Sequence, residues 1–236
     1  YWKYDDATKL GKDSHSWLGR LNNIRTALQG QQGDRRLRLG IAGGEWKKMM
    51  ADATARTRFA SEVKKIIEQY EFDGVDFDFE WPANASEYNN YSATVIQMRS
   101  TLGKYVYFTA SLHPVSFKIS PEAIDALDFI SYQCYGPAVM RFPYEQFVKD
   151  GEAAVAYGIP KNKLVMGVPF YGSTGSLIAA YCDFVNDGLA TTNEDTYTYK
   201  GNTYTFNSIE TIRKKARYVC EEDYAGIMSW DLATDI

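Results

Sequence analysis

Asp73-Gly-Val-Asp-Phe-Asp-Phe-Glu-Trp-Pro82 sets four acids into a strongly apolar run. Asp73, Asp76, Asp78 and Glu80 are threaded among Val75, Phe77, Phe79 and Trp81. An isolated carboxylate is costly to bury, so acids held in so apolar a run are expected to serve chemistry or a specific structural need. Side chains of a strand alternate faces. Asp76, Asp78 and Glu80 are therefore predicted on one face, and Val75, Phe77 and Phe79 on the other. Three acids along one face repel, so one of them is expected to hold its proton near neutral pH, as a general acid must. Pro82 cannot continue a ladder and closes the strand, while Asp73 with Gly74 reads as the turn into it.

Outward from this strand, short apolar strands alternate with helical stripes. Strands are predicted at residues 37–42, 74–80, 105–112, 129–135, 164–169 and 224–230, and helices at 16–28, 52–70, 86–102, 121–126, 144–157 and 208–219. Ser16 is the expected N-cap of the first helix. Residues 173–207 break the rhythm; they read as a loop and, around Lys200-Gly-Asn202, a hairpin at most. Strands alternating with helices predict a parallel sheet covered by helices, and six such units predict a closed α/β TIM (β/α)8 barrel. The whole chain, 1–236, is expected to be one catalytic barrel domain. Two further strands are then owed by residues 1–36, where only a fragment shows at 1–4. A conventional barrel runs to about 250 residues, so missing sequence is the favoured explanation over degenerate strands.

Composition narrows the function. With 236 residues and a net charge of −4 the chain can bury a sizeable core and has no basic footprint for nucleic acid. No stretch has the length of a membrane helix. Cys134, Cys182 and Cys220 do not make a disulfide scaffold or a zinc knuckle, although one bridge is open. His15 and His113 are not spaced with the acids, so no metal and no cofactor are expected. His113, just after a strand, reads as a loop residue of little weight. In a barrel the active site lies at the C-terminal strand ends. Gathered there are Glu45 and Trp46, Asp78 and Glu80, His113, Gln133 and Tyr135, Tyr171, Trp230 and Asp231. Carboxylates to protonate a leaving oxygen, amide and phenol groups to orient hydroxyls, and Trp faces to stack on rings describe a carbohydrate site.

These residues carry a resemblance. Asp73-Gly-Val-Asp-Phe-Asp-Phe-Glu80 matches the DGxDxDxE signature of family 18 glycoside hydrolases, the chitinases and endo-β-N-acetylglucosaminidases. Leu39-Gly-Ile-Ala-Gly-Gly-Glu-Trp46 resembles the family's SxGG strand, and Tyr132-Gln-Cys-Tyr-Gly136 its MxYD motif. Gly167-Val-Pro-Phe-Tyr-Gly172 resembles GxPxYG, and Gly226-Ile-Met-Ser-Trp230 the last strand with its terminal Trp. The resemblance implies retaining, substrate-assisted hydrolysis of β-1,4 bonds next to N-acetylglucosamine, the family being an exception to the two-carboxylate rule. It gives Glu80 the general acid, Asp78 the orientation of the substrate's acetamido nucleophile, Asp76 support of Asp78 with a shared proton, and Tyr135 a hydrogen bond to the acetamido group. Trp230 becomes the floor beneath the sugar, with Gln133, Tyr171 and Trp46 as further substrate-binding residues. Trp46 and Tyr171 are open between cleft wall and packing.

The implied partner is chitin, a chitooligosaccharide or another N-acetylglucosamine glycan. A monomer is expected, in an extracellular, periplasmic or cell-surface location. Two departures bear on substrate. Gly136 replaces the final Asp of MxYD, and Gln133 with Tyr135 resembles endo-β-N-acetylglucosaminidases and plant-type chitinases, whereas Trp81-Pro82 resembles bacterial chitinases. The short 173–207 segment suggests a shallower groove and endo action or short oligosaccharides. Chitin is the favoured substrate, an N-glycan the alternative. A non-catalytic glycan-binding protein is the rival of another class, disfavoured because Glu80 is present.

Overall fold

The computed structural model describes residues 14–29, 33, 35–43, 46–136, 138–189 and 193–235, with the side chains of 14–20 outside that description. The fragment expected at 1–4, the His15 side chain and Glu45 fall outside the described residues. The chain divides into two compact units: Tyr1–Ala110 with Glu122–Asp128, and Ser111–Pro121 with Phe129–Ile236.

The first unit begins with α1 (Ser14–Gln29); the helix starts two residues before the expected cap, so Ser16 lies inside it. β1 (Arg38–Gly43) follows, then a short α2 (Lys47–Ala51) and α3 (Ala53–Gln69). Asp52 caps α3 by accepting from the Ala55 N–H at 2.7 Å. Phe59, Ala60, Val63 and Ile67 form its buried stripe. β2 (Gly74–Phe79) is the acidic strand. α4 (Ala85–Leu102) is capped by Asn84, and Glu87 reaches back to the Ala83 N–H. β3 (Tyr107–Leu112) and α5 (Pro121–Ala126) follow, with Ser111, Leu112 and Pro121 assigned to the second unit.

β1, β2 and β3 are parallel neighbours, with Gly40 opposite Asp76 and Asp76 opposite Thr109. Asp73 fastens the strand starts: its N–H donates to the Leu37 carbonyl, and its carboxylate accepts from the Leu37 N–H at 2.7 Å. Gly74 is required there, because a Cβ would stand 2.0 Å from the Tyr107 carbonyl oxygen. Val75, Phe77 and Phe79 are fully buried, and Phe77 stacks on Tyr91 at 5.2 Å and 7°. Burial of this face stabilises the unit by about 1.5–3 kcal/mol per large side chain.

The second unit holds β4 (Phe129–Tyr132), α6 (Tyr144–Tyr157) and β5 (Leu164–Pro169). Then come β6 (Tyr171–Ser173), β7 (Ile178–Ala180), α7 (Tyr181–Asn186), β8 (Thr196–Tyr199) and β9 (Asn202–Thr205). α8 (Ile209–Glu221) and β10 (Gly226–Trp230) close it. β4, β5 and β10 are parallel neighbours. β4 ends at Tyr132, three residues before its expected end, so Gln133 and Tyr135 stand beyond the ladder.

The 173–207 segment holds more than a loop and a hairpin. The hairpin forms, β8 against β9, across a turn with positive φ at Lys200 (49°) and Gly201 (77°), the type I′ sense that suits strand twist. It joins β6 and β7 in a four-stranded antiparallel sheet in the order β7-β6-β9-β8. Phe184 of α7, fully buried, packs against Tyr197, Tyr199, Tyr204 and Phe206. The alternating tyrosines of the hairpin therefore form a core of their own. Cys134, Cys182 and Cys220 are free thiols.

Candidate active site

Period-two alternation fixes the acids. Asp76 and Asp78 point away from the Val75–Phe77–Phe79 face of β2, and Glu80 is the first residue past the strand's C-terminal end. Exposure differs along the row: Asp76 is half-buried, Asp78 is the most buried at 3 % exposed and Glu80 is open to solvent. Glu80 is held by its backbone, whose N–H donates to the Gly43 carbonyl at 3.2 Å. The Glu80–Trp81 peptide is cis. Asp76 is anchored from both neighbouring strands: Arg38 of β1 lies 3.3 Å from its Oδ1, and Thr109 of β3 donates to the same oxygen. Behind the strand, burial pushes the Tyr91 phenol well up, and the charges of Asp76 and Asp78 add to it.

Trp46 belongs to packing. It is 4 % exposed, and its ring meets Phe59 at 5.2 Å and Phe77 at 5.4 Å, edge to face. Of the two readings open for it, cleft wall and packing, these contacts on the apolar side of β2 support packing.

In the second unit, Tyr135, Tyr171 and Phe142 form a buried cluster with Met228 and Trp230 packed against it. The Tyr135 and Tyr171 rings meet edge to face at 6.4 Å, and the Tyr135 hydroxyl lies 3.5 Å from Met228 Sδ. Tyr171 donates to the Gly136 carbonyl at 3.4 Å, and burial pushes its phenol up to about 12. Gln133 is buried, its N–H donating to the Leu112 carbonyl at 2.8 Å. Trp230 ends β10, is half-buried, and is followed by a cis peptide to Asp231. The structure thus gathers Gln133, Tyr135, Tyr171 and Trp230 at C-terminal strand ends of this unit, as it gathers Asp76, Asp78 and Glu80 in the other.

Three polar residues that sequence reasoning missed or discounted stand among these. Arg38 and Thr109 carried no signal beyond their strand positions. His113 follows β3, is buried, and bonds the Tyr135 carbonyl at 2.8 Å. Among the described residues no three His, Cys, Asp or Glu side chains gather to hold a metal ion, and no helix is long and apolar enough to cross a membrane.

Strand-borne acids, buried phenols at strand ends and a terminal Trp are residue types that a carbohydrate site uses. The chain belongs to the glycosyl hydrolases family 18, whose model matches residues 2–235. It is 22 % identical over 279 residues to probable chitinase 2 of Drosophila melanogaster, covering 84 % of this chain and 56 % of that one. It is 24 % identical to the class V chitinase of Arabidopsis thaliana, over 84 % of this chain and 69 % of that one. The chain thus spans little more than half the length of the Drosophila relative. Among solved structures, the family 18 chitinase from the chitin utilization locus of Flavobacterium johnsoniae superposes with a TM-score of 0.76 at 25 % identity, over 91 % of this chain and 74 % of that one. The Cycas revoluta chitinase, solved with (GlcNAc)3, gives 0.70 at 19 %, over 83 % and 75 %. The fold is the (β/α)8 barrel of this family, to which the described residues contribute β1 to β5 and β10.

Proposed function

We propose that the chain cleaves β-1,4 bonds next to N-acetylglucosamine with retention of configuration, using the substrate's own acetamido oxygen as nucleophile, and that chitooligosaccharides are its substrates. One observation carries the reading. In a family 18 chain, the acid row ends in a solvent-open Glu80 with a buried Asp78 one pleat behind it. One pleat is about 7 Å. That spacing suits a division of labour: Glu80 protonates the glycosidic oxygen, and Asp78 accepts the acetamido N–H and stabilises the oxazolinium that forms when the acetamido oxygen attacks C1. Water then opens the oxazolinium with Glu80 as base.

The remaining residues take supporting roles. Asp76, fixed by Arg38 and Thr109, is a stationary carboxylate beneath Asp78. Tyr135 hydrogen-bonds the acetamido group, Gln133 and Tyr171 line the sugar's position, and the half-exposed Trp230 stacks beneath the ring. Trp46 supports β2 from its apolar side. Metal assistance is not part of this chemistry, and location outside the cytoplasm accords with a polymeric substrate. Support for chitin comes from the similarity to the Drosophila and Arabidopsis chitinases and to the Cycas revoluta chitinase, which was solved with (GlcNAc)3.

Gln133 at the end of β4 favours a second reading, an endo-β-N-acetylglucosaminidase releasing N-glycans. Parallel assays on chitotetraose and on a high-mannose glycoprotein decide between them. Turnover of the first alone is expected. Release of the glycan alone would transfer the chain to the second reading, and binding without turnover of either would make it a glycan-binding protein.

A further inference from the structure

β4 ends at Tyr132, and although the Gln133 N–H still reaches the Leu112 carbonyl, the Tyr135 backbone lies beyond the strand. Side chains take over. Consecutive carbonyls are held from two sides, Tyr135 by His113 Nε2 at 2.8 Å and Gly136 by the Tyr171 hydroxyl at 3.4 Å. Within the ladder such positions are set by strand pairing; past its end these two side-chain bonds contribute to holding them.

His113 is built for the task. It sits in a tight turn in which the Ser116 N–H donates to the His113 carbonyl at 2.6 Å, so the ring's base is rigid. Its Nδ1 accepts the Val115 N–H at 3.2 Å. With Nδ1 an acceptor, the proton lies on Nε2, which donates to the Tyr135 carbonyl. Burial lowers the imidazole's pKa below its ordinary range. The Tyr135 bond opposes this shift, Arg141 adds to it, and Asp150 works against it. Arg141 and Asp150 pair with each other at 2.9 Å. The ring is therefore neutral near pH 7.

Gly136 completes the arrangement. Its φ is +152°, and a Cβ there would lie 2.9 Å from His113 Nε2. The imidazole fills the volume that a side chain at 136 would need.

We infer that His113 is a positioning residue for catalysis, a neutral imidazole that anchors Tyr135 and stands in the space vacated by the Gly136 side chain. The inference rests on the acetamido-binding role proposed for Tyr135. As pH falls below the lowered pKa, Nδ1 gains a proton and two donors face each other at Val115, so the ring loses its seat in the turn although Nε2–H can still donate to Tyr135. The seat is intact at neutral pH and lost on the acid side.

The test uses the full chain with a fluorogenic chitobioside, comparing wild type, His113→Phe and His113→Gln. Phe keeps the ring and removes the donor; Gln keeps a donor without a titrating ring. His113→Phe is expected to lower kcat by ~10- to 100-fold with a smaller change in KM, as displacement of a reacting-site group does. His113→Gln should recover most of that loss, and its acidic limb should move to lower pH. Nitrogen NMR of the free protein should show a non-protonated Nδ1, whether or not substrate is turned over. A folded His113→Phe with wild-type kcat, or an Nδ1-protonated ring, overturns the inference. If His113→Phe fails to fold, an unmoved acidic limb in His113→Gln overturns it instead. A wild type that turns over no chitooligosaccharide removes the hydrolase reading and the catalytic consequence with it, while the spectra still decide the anchor.

Discussion

Arg38 Nη1 stands 3.3 Å from Asp76 Oδ1, and Thr109 Oγ1 links the two, accepting from the guanidinium and donating to the carboxylate. Three adjacent strands thus converge on the first acid of the row. Arg38→Met takes the guanidinium away from a half-buried carboxylate. The expected cost is roughly 1–3 kcal/mol, the range for a charged group deprived of a partner. Asp76→Asn in the same background should return part of it. Urea unfolding of the four proteins in this cycle gives the coupling directly, and strictly additive costs would show that the pair does not hold Asp76.

Lys215 makes stability depend on pH. Its side chain is fully buried, and Nζ donates to the Phe142 carbonyl at 2.6 Å and to Asn207 Oδ1 at 2.7 Å. Burial lowers its pKa to about 8, against about 10.4 in an unfolded chain. Between these values the folded state binds fewer protons than the unfolded state, so this residue's contribution rises with pH. Below the folded value both states are charged and its penalty is complete. The slope cannot exceed ~1.4 kcal/mol per pH unit. Unfolding midpoints of wild type minus Lys215→Met, taken from about pH 7 to about pH 10, should climb across that window. A flat difference would mean that the buried amine already has its ordinary proton affinity.

Phe184 holds the four-stranded sheet together, touching Tyr181, Tyr197, Tyr199, Tyr204 and Phe206. Phe184→Ala opens a cavity among rings that cannot collapse easily. The expected loss is about 3–5 kcal/mol, visible as a lower Tm together with a weakened near-ultraviolet tyrosine signal. A loss under about 1 kcal/mol would show the cluster to be loosely packed.

Local rules made much of this legible. The spans 144–157 and 164–169 match α6 and β5 to the residue, because an amphipathic stripe and an apolar run bounded by clear stops leave one reading. The alternation of β2 placed Val75, Phe77 and Phe79 on one face, which is buried, but gave no sign that Asp78 on the other face is buried too. Long-range effects were hidden. Arg38 lies 38 positions from Asp76, and an arginine opening a strand reads as a solvated end. Trp46 reads as a platform by type, but only the packed fold shows Phe59 and Phe77 against it. β6 and β7 have three residues each, too few to display a period. The expected end of β4 overshot because the hydrophobic pattern continues through Cys134 after the hydrogen bonds have stopped.

Glu80 carries the sharpest consequence of the acid row. It is open to solvent at the end of β2, while Asp78 is buried behind it, so the two can be separated by substitution. Glu80→Gln keeps size and hydrogen bonding but cannot deliver a proton. Turnover of chitotetraose should fall on the order of 10²–10⁴-fold, the usual contribution of a general acid, with affinity for the oligomer retained by calorimetry. Asp78→Asn attacks a different step, the stabilisation of the oxazolinium. It should therefore also slow a substrate whose good leaving group needs no acid, whereas Glu80→Gln should slow that substrate less. A β-1,4-linked glucose oligomer lacks the acetamido oxygen and should resist the wild type altogether. Efficient cleavage of that oligomer would place the nucleophile on the enzyme, and Asp78 would be the residue to examine for it.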